Sequence, residues 1–485
     1  MHLPSARTIA GLCLVLTVAA CARADDYQEG VAAFKANAYP AAVAAFEKVT
    51  ASAPDSSTGW SWLGLSQLQA GLVREAVTSL SRAVELDPGS ADAHNNLGNA
   101  LLAQGDHAAA AVHYRKALAI APDMTDARYN LGNARLAAGD LAGAIAEYRA
   151  AIAADPKHAA THHNLGVALQ RSEDLAGALA EYREAVRLAP RSGKFQLDLG
   201  LAARAAGRLQ EAESAFETAT QADPSSLAAH LNLGQARLAA GEAESAAASL
   251  RRAAEIQPRD FAVLYNLGLA LLRLQKYDEA VSAYEQALKI KSLDPRALSN
   301  LGAAYLAQDQ VDDAVAVLQL AVRAAPSFAL ARQNLAVAYT RQGETEKAVE
   351  QWQRMARVAP GSPAPHEALA DYYLLRAQDY EAAERHYLEL LKLRPDHLGA
   401  LNNIGLIHYR RGELELAALV FGRALELNPS YPLAHNNLGI VLEAQGKRQE
   451  AVRHYRLALA ADPGYNDARD NLQRLEPGES GPARG

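Results

Sequence analysis

Residues Ala91–Met124, ADAHNNLGNALLAQGDHAAAAVHYRKALAIAPDM, decide the fold. Number them 1 to 34. His94, Leu97, Gly98 and Leu101 then stand at positions 4, 7, 8 and 11, the spacing of one helical face. Ala110, Tyr114 and Ala117 stand at 20, 24 and 27 and make one face of a second helix. Gly105–Asp106 between them is a turn signal. Pro122 at position 32 cannot extend the second helix, because it lacks an N–H and turns the preceding residue away from helical angles. The stretch therefore reads as helix A, turn, helix B, stop.

Two such helices cannot enclose a core. Gly98 and Ala110 remove bulk where helices A and B come together, and Ala117 does so toward the next pair. Leu97, Leu101 and Tyr114 fill the space that is left. The outer apolar residues need a neighbouring pair, so one copy should be unstable and an array stable.

The chain supplies that array. Thirteen repeats run 23–56, 57–90, 91–124, 125–158, 159–192, 193–226, 227–260, 261–294, 295–328, 329–362, 363–397, 398–431 and 432–465. Position 20 is alanine in all thirteen, from Ala42 to Ala451. Position 32 is proline in twelve, and position 8 is glycine in eleven, with Ala336 and Ala370 in the other two. This pattern resembles the tetratricopeptide repeat family over residues 23–465, matching its signature at positions 4, 7, 8, 11, 20, 24, 27 and 32. The resemblance implies an all-α fold, a right-handed superhelical solenoid of antiparallel helix pairs. It also implies a concave groove lined by A helices that holds a peptide or protein partner.

Several repeats depart from the pattern. Repeat 1 carries Glu29 at position 7, which suits an end repeat with one face in water. Repeat 8 ends in Ser292 instead of proline, so its helix B or loop is expected to run differently. Repeat 11 holds one extra residue, expected in the turn around Ala377–Asp379. Repeats 10 and 11 lack the position-8 glycine and carry Met355 and Leu390 at position 27, which marks a change of curvature. Asn466–Leu475 begins a fourteenth helix A and is expected to cover the last helix B. Residues 476–485 show no periodicity and are expected to be disordered.

The first 24 residues read as an export signal. Arg7 gives a positive start, Ile9–Ala20 an apolar segment too short to span a bilayer, and Ala22-Arg23-Ala24 a small-residue cleavage pattern. Val18-Ala19-Ala20-Cys21 also resembles a bacterial lipobox, which makes Cys21 a candidate for diacylation. Lipoproteins usually carry a tether after that cysteine, whereas here the first repeat follows at once, which favours simple cleavage and a periplasmic or secreted chain. Cys13 and Cys21 are the only cysteines, so cleavage after Ala24 leaves no thiol for disulfide, cluster or nucleophile. No later stretch is long and apolar enough for a transmembrane helix.

Composition narrows the function. The net charge is −7 and no run of five or six like charges occurs, so the basic stripe that nucleic acid needs is missing. Histidines at position 4 (His94, His162, His230, His366, His435) and His163 at position 5 lack metal-ligand spacing and read as packing residues. Trp60 and Trp352, at positions 4 and 24, read as core, while Trp62 alone faces the groove. No phosphate loop, nucleophile elbow or dinucleotide fingerprint is present, and the repeats consume the chain. No cofactor, metal or catalytic residue is therefore assigned, and an enzyme is not expected.

The sharpest candidate feature is position 6. It is asparagine in nine repeats: Asn96, Asn130, Asn164, Asn232, Asn266, Asn300, Asn334, Asn403 and Asn437. An amide both donates and accepts, so one per repeat can grip an extended backbone. The stripe is similar to the asparagine ladder in the repeat half of O-GlcNAc transferase, whose repeats also read N-L-G. A consensus asparagine that bonds locally is the alternative. Positions 2, 5 and 9 would add specificity, polar at Asp92, Asn95, Asn99, Asp126, Tyr129 and Asn133, and apolar at Leu197, Leu201, Leu231, Tyr265 and Leu269. The expected function is an exported protein-interaction scaffold that takes an extended peptide or partner protein. The alternatives are an outer-membrane assembly, secretion or polysaccharide-export factor, and the regulatory half of an enzyme such as a glycosyltransferase.

Overall fold

The computed structural model describes residues 25–476. Residues 1–24 with Cys21, read from sequence as an export signal, and the tail beyond Glu476 lie outside the described residues. Among the described residues every regular element is a helix. Repeat 3 shows the unit: helix A is Ala91–Gln104 and helix B is His107–Ile120. The Ser90 hydroxyl caps helix A by accepting from the Ala93 N–H at 3.1 Å. The Asp106 carboxylate caps helix B by accepting from the Ala109 N–H at 2.9 Å. Each cap satisfies one of the amides left open at a helix start.

Between the two helices the chain must reverse, and the residue at position 15 does it in left-handed backbone. Gly105 there has φ +91°, and seven other glycines repeat the geometry. Five repeats place a side chain in that conformation: Asn37, Glu173, Gln275, Asp309 and Gln378. Helix B is 14 residues long in repeat 8 (Tyr277–Ile290), as in repeat 3. The missing proline at position 32 therefore changes nothing there: Asp294 caps the next helix A and Pro295 opens it.

Packing follows the small residues. Position-20 alanines are buried throughout. The position-24 ring lies directly over the position-8 glycine of its own repeat. A Cβ on Gly98 would meet Tyr114 Cε1 at 2.6 Å, one on Gly132 would meet Tyr148 Cε1 at 2.6 Å, and one on Gly439 would meet Tyr455 Cε1 at 2.6 Å. Those tyrosines are fully buried.

The helices divide into two compact parts, Met1–Glu242 and Ala243–Gly485. Each is an α-solenoid in which every helix packs on its neighbours in sequence. In the first part, second-neighbour contact runs from helix A to helix A through Ser57–Gln69, Ala91–Gln104, Thr125–Ala137 and Ala159–Arg171. In the second part the same holds for Phe261–Arg273, Pro295–Ala307 and Ala329–Gln342, and no helix B pair approaches as extensively. The A helices therefore occupy the inner side of the bend in each part.

Repeat 11 departs. Its extra residue sits one turn earlier than the sequence suggests, as a π-helical turn Tyr373–Ala377 closing helix A, with Gln378 at φ 52°. A single insertion inside a helix is accommodated by a wide turn of this kind. At the C-terminal end Asn466–Leu475 covers helix B of repeat 13, burying Ala468 and Leu475, and Arg474 grips Glu443, with one N–O contact at 2.8 Å.

Replacing Gly98 with alanine overpacks the Tyr114 ring and should cost about 1–3 kcal/mol. Replacing Gln275 with glycine removes a left-handed side chain and should stabilise by on the order of 1 kcal/mol. Amide hydrogen exchange of the two variants, resolved by repeat, tests both signs.

Candidate functional site: the asparagine stripe of the A helices

Eight of the position-6 asparagines are half-buried and Asn437 is buried. They lie on the A helices, and most of their amides reach backward. Asn130 Nδ2 donates to Asn95 Oδ1 at 3.1 Å. Asn164 Nδ2 donates to the Tyr129 hydroxyl at 3.0 Å and to Asn133 Oδ1 at 2.8 Å. Asn300 reaches the Tyr265 hydroxyl at 3.4 Å, Asn334 reaches Ser299, and Asn437 reaches Asn402 Oδ1 at 2.8 Å. Each of these five asparagines has an acceptor at position 5 of the preceding repeat, and Asn164 adds Asn133 at position 9. Asp198, which replaces asparagine in repeat 6, keeps the register with a hydrogen bond: its carboxylate lies 2.7 Å from His163 Nε2.

The stripe is thus a row of clasps across repeat junctions. Where position 5 of the preceding repeat is leucine (Leu197, Leu231), it offers no acceptor. Asn232 and Asn266 then donate to the carbonyls of Ala228 and Ala262 one helical turn back, at 2.8 and 2.7 Å. Asn403 donates to the Tyr387 hydroxyl at 2.7 Å. Asn96 makes no side-chain hydrogen bond among the described residues, and the position-5 residue before it is Ser61.

At the C-terminal end the clasps join into one directional chain. Asn471 donates to Asn436, Asn436 to Asn437, Asn437 to Asn402, and Asn402 to Asn403. Asn403 donates to Tyr387, whose hydroxyl donates in turn to Asp371 Oδ1 at 2.5 Å. Burial first, and the Asp371 carboxylate second, raise the Tyr387 pKa far above the phenol range. Amides aligned head to tail strengthen one another in a poorly solvated setting.

The residues expected to give specificity divide in the same way. Asn95 is buried, and Asn99 and Asn133 accept from the Tyr114 and Tyr148 hydroxyls at 2.7 Å each. Asp92 and Asp126 are exposed. Leu197, Leu201 and Leu231 in the first part, and Tyr265 and Leu269 in the second, are half-buried. Trp62 stacks on Phe46 at 5.7 Å between ring centres, and the Trp60 indole donates to the Pro54 carbonyl at 3.0 Å. Trp352 is not a buried core residue: it is half-buried and lines a cavity between repeats 10 and 11.

Three of the five position-4 histidines pair with a second histidine of their own repeat, while His162 contacts Glu181 and His230 the Pro224 carbonyl. His94 Nδ1 lies 3.0 Å from His113 Nδ1, and His435 Nδ1 lies 3.0 Å from His454 Nδ1. His366 and His386 repeat the pair at 3.3 Å. His94 Nε2 and His435 Nε2 face the carbonyls of Pro88 and Pro429 at 3.2 and 2.9 Å. A carbonyl only accepts, so Nε2 carries the proton and Nδ1 takes one from the partner ring. No group of three His, Cys, Asp or Glu side chains converges as metal ligands among the described residues. No helix among them is long and apolar enough to cross a membrane.

Family models of the tetratricopeptide repeat match residues 27–89, 63–125, 101–166, 405–446 and 432–465. The model for the cilia and flagella-associated protein 70 C-terminal domain matches residues 171–370. The chain belongs to the tetratricopeptide repeat family. Among solved structures it is similar to YrrB, described as a TPR protein with an unusual peptide-binding site, at 26% identity over 39% of this chain and 97% of that one, TM-score 0.35. It is also similar to the APC/C hetero-tetramer Cut9–Hcn1, at 15% identity over 93% and 96%, TM-score 0.36. MamA matches at 23% identity over 35% and 92%, TM-score 0.33. Comparison with curated proteins gives no match.

Asn437→Leu strands the buried Asn402 oxygen and should cost about 1–3 kcal/mol, while adding Asn402→Leu should recover part of it. Urea unfolding of the single and double variants measures the difference. The pH dependence has a fixed sign. Burial first lowers the pKa of His94, His113, His366, His386 and His454 below the usual 6.5. Lys116 adds to this at the first pair, Arg385 opposes Glu389 at the second, and Arg453 opposes Glu450 at the third. Folding then favours the neutral rings, so their stability is whole above pH 6.5 and is lost as pH falls below it. Thermal melting at pH 7.5 and 5.5 should show the loss, and His113→Gln, His386→Gln, His454→Gln together should shrink it.

Proposed function

We propose that this protein is an exported interaction scaffold that holds an extended protein segment along its A helices. The observation that carries the reading is the polar stripe itself. The Oδ1 atoms of Asn130, Asn266, Asn300 and Asn334 accept no hydrogen bond among the described residues. At these four positions the amide's own hydrogen bond fixes its rotamer and leaves its oxygen for a backbone N–H, which is preorganisation. The repeat family supports protein binding in general, and the amide stripe narrows it to an extended backbone, as in the ladder of O-GlcNAc transferase. The signal-like first 24 residues support a periplasmic or secreted location. A second reading, an outer-membrane assembly or secretion factor, rests on Val18-Ala19-Ala20-Cys21 and a diacyl anchor on Cys21.

A photo-crosslinking residue placed at Leu201 or Leu269 on the A helices should capture a partner in the exported cell fraction. The same residue at Leu419, which is 70% exposed on a helix B, should not. Equal capture at all three positions would remove the groove from the reading. The mass of the mature N-terminus, beginning at Asp25 or at acylated Cys21, decides between the two locations.

A further inference from the structure

The cavity between repeats 10 and 11, about 970 Å³ in volume, lies where three features of the repeat fail together. Position 8 is Ala336, so a methyl group stands where most repeats offer bare backbone to the position-24 side chain, here Trp352. Its indole is half-buried and turns to the cavity, whereas Tyr114 and Tyr148 at the same position are fully buried. Position 6 is Ala368, so no amide fills the groove side of this junction. The π-helical turn Tyr373–Ala377 brings out Leu375, which is 67% exposed and lines the cavity together with Tyr372 and Val337.

The charges at the cavity are unequal in their commitments. Asp371 is the last acceptor of the asparagine chain and takes the Tyr387 hydroxyl's hydrogen bond on Oδ1. Arg376 has no hydrogen-bond or ion-pair partner among the described residues and is exposed at the wall. Arg341 gives one N–H to the Leu306 carbonyl at 2.6 Å and otherwise has Asp309 at 4.0 Å, itself 89% exposed. Glu346 is exposed on the remaining side. The inner anion is thus satisfied, and two cations are left without close anions.

We propose that this cavity is the specificity pocket of the groove and takes a large apolar side chain, aromatic or leucine-sized, flanked by acidic residues in an extended segment. The apolar group sits against Trp352, Tyr372, Leu375 and Val337, and the neighbouring carboxylates reach Arg376 and Arg341. Ala368 gives the segment room to dip between repeats where the other junctions carry a polar side chain. The inference rests on the groove reading, but it has its own readout.

Trp60 and Trp62 are the only other tryptophans, so the full mature chain with Trp60→Phe and Trp62→Phe reports on Trp352 alone. Three capped peptides, Gly-Asp-Phe-Asp-Gly, Gly-Lys-Phe-Lys-Gly and Gly-Asp-Ala-Asp-Gly, are titrated against its emission. The acidic phenylalanine peptide should give a saturable shift. Its affinity should fall by about tenfold or more with Arg376→Glu, the loss expected for a charge-assisted contact, and with Leu375→Asp. Both positions are exposed, so the fold tolerates the changes, and circular dichroism checks it. No binding, equal response to all three peptides, preference for the lysine peptide, or indifference to Arg376→Glu would each overturn the proposal. A Trp352 response without crosslinking at Leu201 and Leu269 would keep the pocket and sink the groove. Crosslinking without a Trp352 response would do the reverse.

Discussion

The structure depends on a ring that rests on bare backbone. Where position 8 is glycine, a tyrosine, phenylalanine or leucine at position 24 presses onto it, with no room for even a methyl group between them. That approach sets how closely helix A lies on helix B. The position-20 alanines then let the helices meet, and the position-27 alanines pass the same closeness to the next pair. Each ring exchanges water for a complete set of neighbours, which is the main favourable term available to helices this thin.

Close packing fixes the distance between repeats but leaves the A helices polar on their inner side. Those polar groups are not left to water. Asn130, Asn164, Asn300, Asn334 and Asn437 each reach back to position 5 of the previous repeat, so a residue that looks free on a helical wheel is a joint between neighbours. A half-buried amide without a partner would be costly, and the backward bond removes that cost while holding register. In repeats 11–13 the joints fuse into a chain that ends on Asp371, beside the one junction where the pattern is broken. The order comes from Asn402, Asn436 and Asn471 beside the stripe, and the opening lies where Ala336, Ala368 and one inserted residue meet.

Much of this was legible in the chain as written. The thirty-four-residue period, the helix pairs, their caps and stops and the buried faces follow from residue size, helical spacing and the geometry of proline and glycine. These are local properties, and each repeat states them again, so errors do not accumulate. The asparagine at position 6 was equally visible as a stripe. Its partner at position 5 lies thirty-five residues back, and only stacking brings the two together, so spacing within one helix could not reveal the clasp.

The fate of Trp352 shows where sequence stops. By position it belongs to the core, like Tyr114 or Tyr455. It leaves the core at the junction where Ala336 stands for glycine and the next helix A carries Ala368 and the π-helical turn, whereas Tyr387 stays buried in a cluster with Ala370. Likewise the extra residue of repeat 11 was countable in the sequence, but its form as a π-helical turn reflects the helices packed around it. Sequence alone therefore determined the repeat, its helices and the faces they bury, because those depend on neighbours along the chain. Tertiary structure alone decided which amides are spent, which ring is displaced and where space is left, because those depend on neighbours across it.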